Sequence, residues 1–86
     1  TIYPSPFNTS TVISYQIPED CFVSLCIYDI KGRLVKTLVN SIAQSGDFSV
    51  VWSGNDNNGS SVSSGLYFVK LTAGDQVSTN RMVLLK

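Results

Sequence analysis

The sequence predicts an all-β domain, folded as an antiparallel β-sandwich of about seven short strands. Apolar and polar residues alternate with period two along most of the chain, and no segment of helical length has apolar residues spaced three and four apart. Turn-forming Gly, Pro, Asn and Asp recur at roughly the 8–12-residue spacing of sandwich strands. With 86 residues, the chain is expected to form one small domain.

The first two predicted strands differ in regularity. Residues 2–7 are extended but contain Pro4 and Pro6, which restrict them to an edge or bulged strand, because proline donates no ladder hydrogen bond. Thr11–Ile17 alternates strictly between apolar and other residues. The Pro-Glu-Asp sequence at 18–20 that follows it is typical of a turn.

The middle of the chain predicts three further strands. The first covers residues 21–29, and a Lys-Gly-Arg turn at 31–33 leads to a short strand over 34–39, expected at a sheet edge. Small polar residues at 41–45 then form a connection to the strand Gly46–Trp52.

The last third of the chain predicts one long loop and two strands. Residues 53–64 are rich in Gly, Asn and Ser, and the Asn-Gly pair at their centre suits a turn with positive φ. Strands are predicted over 65–72 and 76–85, joined by an Ala-Gly-Asp turn at 73–75.

The apolar faces of these strands predict a core between two facing sheets, with Trp52 at its centre. Side chains at alternate strand positions point to the same face, so one face of each strand is assigned to the core. The predicted core residues are Ile13, Tyr15, Val23, Leu25, Ile27, Phe48, Val50, Trp52, Tyr67, Val69, Leu71, Met82 and Leu84.

Composition narrows the range of functions. Six basic and six acidic residues give zero net charge, so the chain lacks the basic field that nucleic-acid binding requires. No hydrophobic run reaches the roughly 18 residues of a membrane helix, so no membrane insertion is expected. The chain has no histidine, and its acidic residues fall in predicted turns or strand ends, so we expect that it is not an enzyme. We separately expect a monomer.

Neither the cysteines nor the Asn-rich loop predicts a cofactor or metal. Cys21 and Cys26 lie in one strand at an odd offset, on opposite faces and about 16 Å apart, beyond the reach of a disulfide. Counting an EF-hand loop back from Gly59 places Gly at positions one and twelve, where calcium ligands are required. We expect no cofactor, although a looser surface calcium site stays open.

The C-terminal strand ends on a lysine directly after an apolar run. If Met82 and Leu84 enter the core, Val83 and Leu85 must face the other way. An exposed apolar strand at a chain end either packs against another segment, such as residues 2–7, or is recognised by a partner. Both readings remain open from the residues alone.

A sugar-binding reading depends on outward aromatic side chains. Trp52 and Tyr67 are assigned to the core, which leaves Tyr3, Phe22 and Phe68, and the two phenylalanines could flank each other. The residues thus keep open an accessory fibronectin-like interaction module or a carbohydrate-binding module of a secreted hydrolase. Binding of polysaccharides by the isolated domain would distinguish that reading.

Five segments of the chain form a recurring pattern in their order along the sequence. They are YPSPFN at 3–8, IYDIKGRLV at 27–35, WSGNDNNG at 52–59, SGLYFVKL at 64–71 and MVLLK at 82–86. Together they resemble the C-terminal sorting domain (type A) of cargo proteins of the type IX secretion system, with Ser5 and Thr9 departing from the usual residues. That domain is itself similar to the immunoglobulin-like domain of flagellar hook-capping proteins.

The resemblance implies an immunoglobulin-like module, covering residues 1–86, at the end of a larger secreted protein of Bacteroidetes-like bacteria. Its expected partners are the translocon and sortase components of type IX secretion and an upstream cargo domain. The cargo would pass through the periplasm to the cell surface or the medium. The opening at Thr1 directly on a strand-like sequence likewise led us to expect a piece of a longer protein.

The resemblance also assigns residues to two roles. The first group would carry sorting and recognition, and the second would shape the motif turns and the core. The candidate recognition residues are Gly65, Tyr67, Val83, Leu85 and Lys86, and the structural motif residues are Tyr28, Asp29, Gly32 and Trp52.

Overall fold

The computed structural model describes residues 2–4 and 10–85, with side chains described over 10–85. Within these ranges the chain forms seven strands and no helix. The strands are β1 (Ile2–Pro4), β2 (Thr11–Ile17), β3 (Cys21–Tyr28), β4 (Leu34–Ala43), β5 (Gly46–Trp52), β6 (Gly65–Ala73) and β7 (Gln76–Leu84).

Two antiparallel sheets form the predicted sandwich. One sheet has three strands in the order β1-β2-β5, and the other has four in the order β4-β3-β6-β7. Buried side chains from both sheets belong to a single apolar cluster, so the sheets pack face to face. The predicted all-β, immunoglobulin-like sandwich is confirmed.

The core follows from the strand alternation. Eleven predicted core residues are buried, and Ile17, which lies on the same face as Ile13, joins them with 3% of its surface exposed. Phe48 and Val50 are only half-buried. They lie on β5, an edge strand of the three-stranded sheet, and an edge side chain has a neighbouring strand on one side only.

Trp52 occupies the centre of the core and ties it to the long loop. Its ring is fully buried and meets Tyr67 edge-on, with ring centroids 5.2 Å apart. Trp52 Nε1–H donates a hydrogen bond to the Asn55 carbonyl at 2.8 Å, and the Tyr67 hydroxyl donates to the Ser63 carbonyl at 2.7 Å. The two aromatic side chains therefore anchor both ends of the 53–64 loop.

The main departure from the predicted strands lies in β4. Residues 41–45 were predicted as a connection, but β4 continues to Ala43, which lies opposite Cys21. Its ladder with β3 carries two register shifts, which accommodate the longer strand. Asn40 and Ser41 have weak strand preference, but their pairing with β3 holds them in the strand. β4 is nevertheless an edge strand, as predicted.

Smaller differences concern strand ends. β6 continues one residue beyond the prediction, to Ala73, and β7 stops one residue short of it, at Leu84. β1 pairs with β2 as the edge strand of its sheet. Residues 5–7 of the predicted first strand lie outside the described residues.

The two ends of the sandwich carry different elements. We call one the tip end: it holds the 29–33 turn, the 53–64 loop and the end of β7, where Leu84 lies opposite Gly65. The far end holds the turns after β2 and β6. The molecule measures 36 × 21 × 19 Å along its principal axes. β1 runs from beside Tyr15 to beside Ile13, towards the tip end.

Candidate recognition surface

The end of β7 has one buried and one exposed face. Met82 and Leu84 are 7% and 2% exposed and belong to the core cluster. Val83 and Leu85 are 49% and 53% exposed. Lys86 lies outside the described residues. The core therefore holds the strand in place while two apolar side chains face outward, with the orientation that the alternation predicted.

The other two predicted recognition residues support this strand from β6. Gly65 begins β6 directly opposite Leu84, with φ at 156°. Tyr67 is the partner of Met82 and is buried, so its ring contacts the core and the 53–64 loop. The structure thus brings Gly65, Tyr67 and Val83 to one end of the sandwich, but Tyr67 is not on its surface.

Asp29 organises the turn at the tip end. Its Oδ1 accepts hydrogen bonds from the backbone N–H groups of Lys31 at 2.9 Å and Arg33 at 3.0 Å. Its Oδ2 accepts one from Arg33 Nε at 2.9 Å. Gly32 has φ at 81°, a left-handed conformation that favours glycine, and its N–H donates to the Asp29 carbonyl. The turn therefore depends on both residues: Asp29 accepts its backbone N–H groups, and Gly32 adopts its positive φ.

The pKa of Asp29 is lowered by the same contacts. The backbone N–H of Arg33 is the largest cause, and the Arg33 side chain and the Lys31 N–H add to it. The carboxylate stays ionised, and its charge is balanced within the turn by Arg33.

The outer face of the four-stranded sheet is apolar near the tip end. Residues directly opposite each other in neighbouring strands share a face, and one such row runs from Leu34 through Tyr28 and Phe68 to Arg81. Leu66 and Val83 form the next row. We call this surface the terminal patch, comprising Tyr28, Ile30, Leu34, Leu66, Phe68, Val83 and Leu85.

A shallow depression of about 330 Å³ lies within this surface. Tyr28, Ile30 and Phe68 line it, together with Lys70 and Thr79. Burial raises the pKa of the Tyr28 hydroxyl, and contact with Cys26 raises it further.

The charges of the four-stranded sheet are all of one sign. Its strands carry Lys36, Lys70 and Arg81 and no acidic residue. Lys70 and Arg81 lie on the outer face, in the row of Cys26 and the row of Phe68. A chain with zero net charge thus has a locally basic surface next to the terminal patch.

The aromatic pair of the sugar-binding prediction is corrected. Phe68 lies opposite Tyr28, whereas Phe22 lies six residues away along β3, about 20 Å at strand rise. Phe22 and Phe68 therefore do not flank each other, and Tyr28 takes that place. Alternation along β3 and β6 points Phe22, Tyr28 and Phe68 to the outer face. Only the pairing register of the two strands shows that Tyr28 and Phe68 are neighbours. The side chain of Tyr3 lies outside the described ones.

The Asn-rich loop has a structural role. Asp56 Oδ1 accepts hydrogen bonds from the N–H groups of Asn58 and Ser60, both at 2.9 Å. Asn57 continues the sheet: its N–H donates to the Val35 carbonyl, and its side-chain Oδ1 accepts from the Thr37 N–H, both at 3.0 Å. The loop thus covers part of the exposed edge of β4.

Residues 2–4 and 10–85 contain no group of three His, Cys, Asp or Glu side chains that could hold a metal ion. Within the same residues no helix is long and apolar enough to span a membrane. Both cysteines are free, as their positions on opposite faces of β3 predicted.

Comparison with known proteins supports the fold and the family. No curated protein matches the chain. Among solved structures, FlgD from Xanthomonas campestris superposes with a TM-score of 0.68 at 24% identity, over 95% of this chain and 60% of that chain. That structure is described in terms of hook capping essential for flagellar assembly.

Dimeric latent PorU from Porphyromonas gingivalis has the same fold in one part of its chain. It superposes with a TM-score of 0.67 at 18% identity, over 99% of this chain and 9% of that chain. The chain thus spans less than two thirds of either protein. The profile of the FlgD Ig-like domain matches residues 7–76, most of the sequence. On that match the chain belongs to the FlgD Ig-like domain family.

Proposed function

We propose that this domain is a non-catalytic C-terminal sorting module, which directs a larger cargo protein through the type IX secretion system to the cell surface or the medium. The observation that carries the proposal is the geometry of β7. Its buried residues Met82 and Leu84 lock the strand into the core, and its exposed residues Val83 and Leu85 are offered to a partner. A sorting signal requires both features, because it must stay ordered and must remain accessible to the partner that recognises it.

The direction of β1 supports the same role. β1 runs towards the tip end, so a cargo joined ahead of Ile2 would approach from the side of the far end. In both solved structures the fold is one part of a longer chain, as 9% of the PorU chain for instance, which agrees with a module attached to a larger protein.

The proposed partners are the translocon and sortase components of that system, with the module passing through the periplasm. The five sequence segments support this assignment, and three of them now have a local explanation. The 27–35 segment forms the Asp29 turn, the 52–59 segment begins at the buried Trp52, and residues 82–85 of the last segment place Val83 and Leu85 on the surface.

The test changes the exposed tip without disturbing the core. Removal of 84–86 would also remove the buried Leu84, so loss of export would not distinguish recognition from folding. The double variant Val83→Ser and Leu85→Ser, made in the full-length parent, is expected to accumulate in the periplasm. The matched control is Val51→Ser, whose side chain is 54% exposed on the other sheet.

The expected result is measured as the exported fraction of the cargo, with the melting temperature of each variant domain as a folding check. Export that proceeds normally in the double variant would refute the proposal. Loss of export in the Val51→Ser control as well would show a general defect, and the tip would then have no special role.

The alternative is a carbohydrate-binding or other interaction module, and the adjacent Tyr28 and Phe68 side chains favour it specifically. Affinity electrophoresis of the domain in gels of neutral and acidic polysaccharides tests it. Retention that disappears in Phe68→Ala would support a sugar site, whereas unchanged mobility would exclude these polysaccharides as ligands.

A further inference from the structure

We infer that the terminal patch, with Lys70 and Arg81 beside it, is the docking surface for a protein partner that presents an apolar strip bordered by carboxylates. This inference rests on the proposed function, since it describes in chemical terms the surface that reads the tip. It extends recognition from Val83 and Leu85 to the outer face of β3 and β6.

The distribution of exposed apolar side chains indicates that the docking surface lies on the four-stranded sheet. Nine large apolar side chains are exposed among the described residues. Only Val12 and Val51 lie on the three-stranded sheet, and the rest lie on or directly beside the four-stranded one. A contiguous apolar surface of this kind marks an interaction site more often than scattered single residues do.

The charged residues distinguish the terminal patch from the other apolar residues on the outer face of that sheet. Phe22 and Ile42 form an exposed pair on its outer face near the far end. That end carries acidic turns, in which Glu19, Asp20 and Asp75 line a common depression. Lys70 and Arg81 instead border the terminal patch on the outer face, so the acidic groups lie in the turns of the far end and the basic groups lie beside the patch.

The nearby carboxylate does not cancel this basic border. Asp29 lies in the turn beside the patch, but its oxygens are engaged by Arg33 and Lys31 within the turn. Lys70 and Arg81 are both exposed. Acidic groups on a partner would therefore find two cations beside an apolar surface, which steers association and fixes orientation.

The side chains of the patch favour a protein over a polysaccharide. Five of the seven are aliphatic and have no ring face for a sugar to stack on: Ile30, Leu34, Leu66, Val83 and Leu85. Apolar side chains of a protein partner can fill such a surface. A second copy packed face to face is disfavoured, because Lys70 and Arg81 would meet their own counterparts across the two-fold axis.

The experiment reverses the charges and leaves the apolar patch intact. In the full-length parent, Lys70→Glu with Arg81→Glu is expected to lower the exported fraction by about tenfold, the effect of 1.4 kcal/mol of lost partner binding. Arg81→Lys keeps the charge and is expected to export normally. Gln16→Glu with Ser49→Glu, two exposed residues on the three-stranded sheet, is the control for added negative charge away from the patch.

The outcomes separate this inference from the proposed function. If Val83→Ser with Leu85→Ser blocks export and the charge reversal does not, the sorting role stands and the carboxylate-bordered partner is refuted. If neither change affects export, both are refuted. A loss of export that Gln16→Glu with Ser49→Glu reproduces would assign the effect to net charge and would also overturn the inference. Melting curves of the variant domains verify that each one folds.

Two further measurements assign the patch to other occupants if the inference is wrong. Retention of the domain by polygalacturonate that disappears in Phe68→Ala would identify an acidic polysaccharide. Concentration-dependent association in sedimentation velocity that disappears in the Val83→Ser and Leu85→Ser variant would identify a second copy of this chain. A monomer that polygalacturonate does not retain, together with the expected export defect, supports the protein partner.

Discussion

The two faces of the four-stranded sheet carry apolar side chains from the same strands in opposite environments. At the end of β7, Met82 and Leu84 are buried on the inner face, whereas Val83 and the adjoining Leu85 remain about half exposed on the outer face. Burial of the inner face stabilises the domain, and the outer face contributes little to folding while it remains uncovered. Stability and recognition are therefore encoded in alternate residues of one strand, and single substitutions can separate them.

The largest effect is expected from the inner side of the sandwich. Trp52→Ala removes the central side chain and should cost about 3–5 kcal/mol, which is a large share of the roughly 5–15 kcal/mol that stabilises a small domain. It also leaves the Asn55 carbonyl without its indole donor. We expect the cooperative transition in thermal and urea unfolding to disappear.

Trp52→Phe is the matched control, since it keeps a ring against Tyr67 while it removes the indole N–H. It should retain a cooperative transition at a lower midpoint. An unchanged melting curve for Trp52→Ala would show that the centre of the core lies elsewhere.

The next effect compares two neighbouring leucines on the two faces. Leu84→Ala should destabilise the domain by about 2–5 kcal/mol because Leu84 is a buried core residue. Leu85→Ala should change the free energy of unfolding by no more than about 0.5 kcal/mol, since its side chain is half exposed. Urea unfolding of both variants measures the difference, and equal losses would contradict the assignment of the two faces.

A smaller effect is expected at the turn that borders the outer face. The folded-state pKa of Asp29 lies below its ordinary value, so its carboxylate stabilises the domain above the unfolded pKa of about 3.9. This contribution is lost as the pH falls through the lowered folded-state pKa. Asp29→Asn should therefore lower the melting temperature near neutral pH and should match the parent in strong acid.

The comparison requires melting temperatures of both proteins between neutral pH and strong acid, and Asp47→Asn serves as a control in a strand of the other sheet. A difference between Asp29→Asn and the parent that is constant with pH would show that the Asp29 charge has no part in the turn.

The smallest effect is expected from the two cysteines, which lie on opposite faces of β3. Cys21 packs against the core, and Cys26 contacts Ser24 and Thr37 on the outer side. Since they are free and cannot meet, a reductant should leave the melting temperature unchanged. A reductant-dependent shift would indicate a disulfide between molecules.

Much of the fold was predictable from local patterns. Period two assigned the inward residues of β2, β3, β6 and β7, and turn residues located most strand ends. Phe48 and Val50 were predicted as fully buried because alternation does not reveal that β5 is an edge strand. The extension of β4 to Ala43 was missed because its Asn and Ser residues have weak strand preference and are held by pairing with β3.

The candidate site was predictable only in part. The outward orientation of Val83 and Leu85 follows from alternation, given that Met82 and Leu84 are buried. The row that joins Tyr28, Phe68 and Arg81 depends on the pairing of three strands, and alternation in one strand says nothing about its neighbours. Phe22 was therefore wrongly placed beside Phe68.

By itself, the sequence determined the class of fold, most of the buried residues and the parity that divides each strand into two faces. These properties are local, because neighbouring side chains along a strand must point in opposite directions. Only the tertiary structure decided which strands are neighbours, where the edges lie and how Lys70 and Arg81 come to border an apolar patch. Such features depend on contacts between residues far apart in the chain, whose register is set by the packing of the two sheets as a whole.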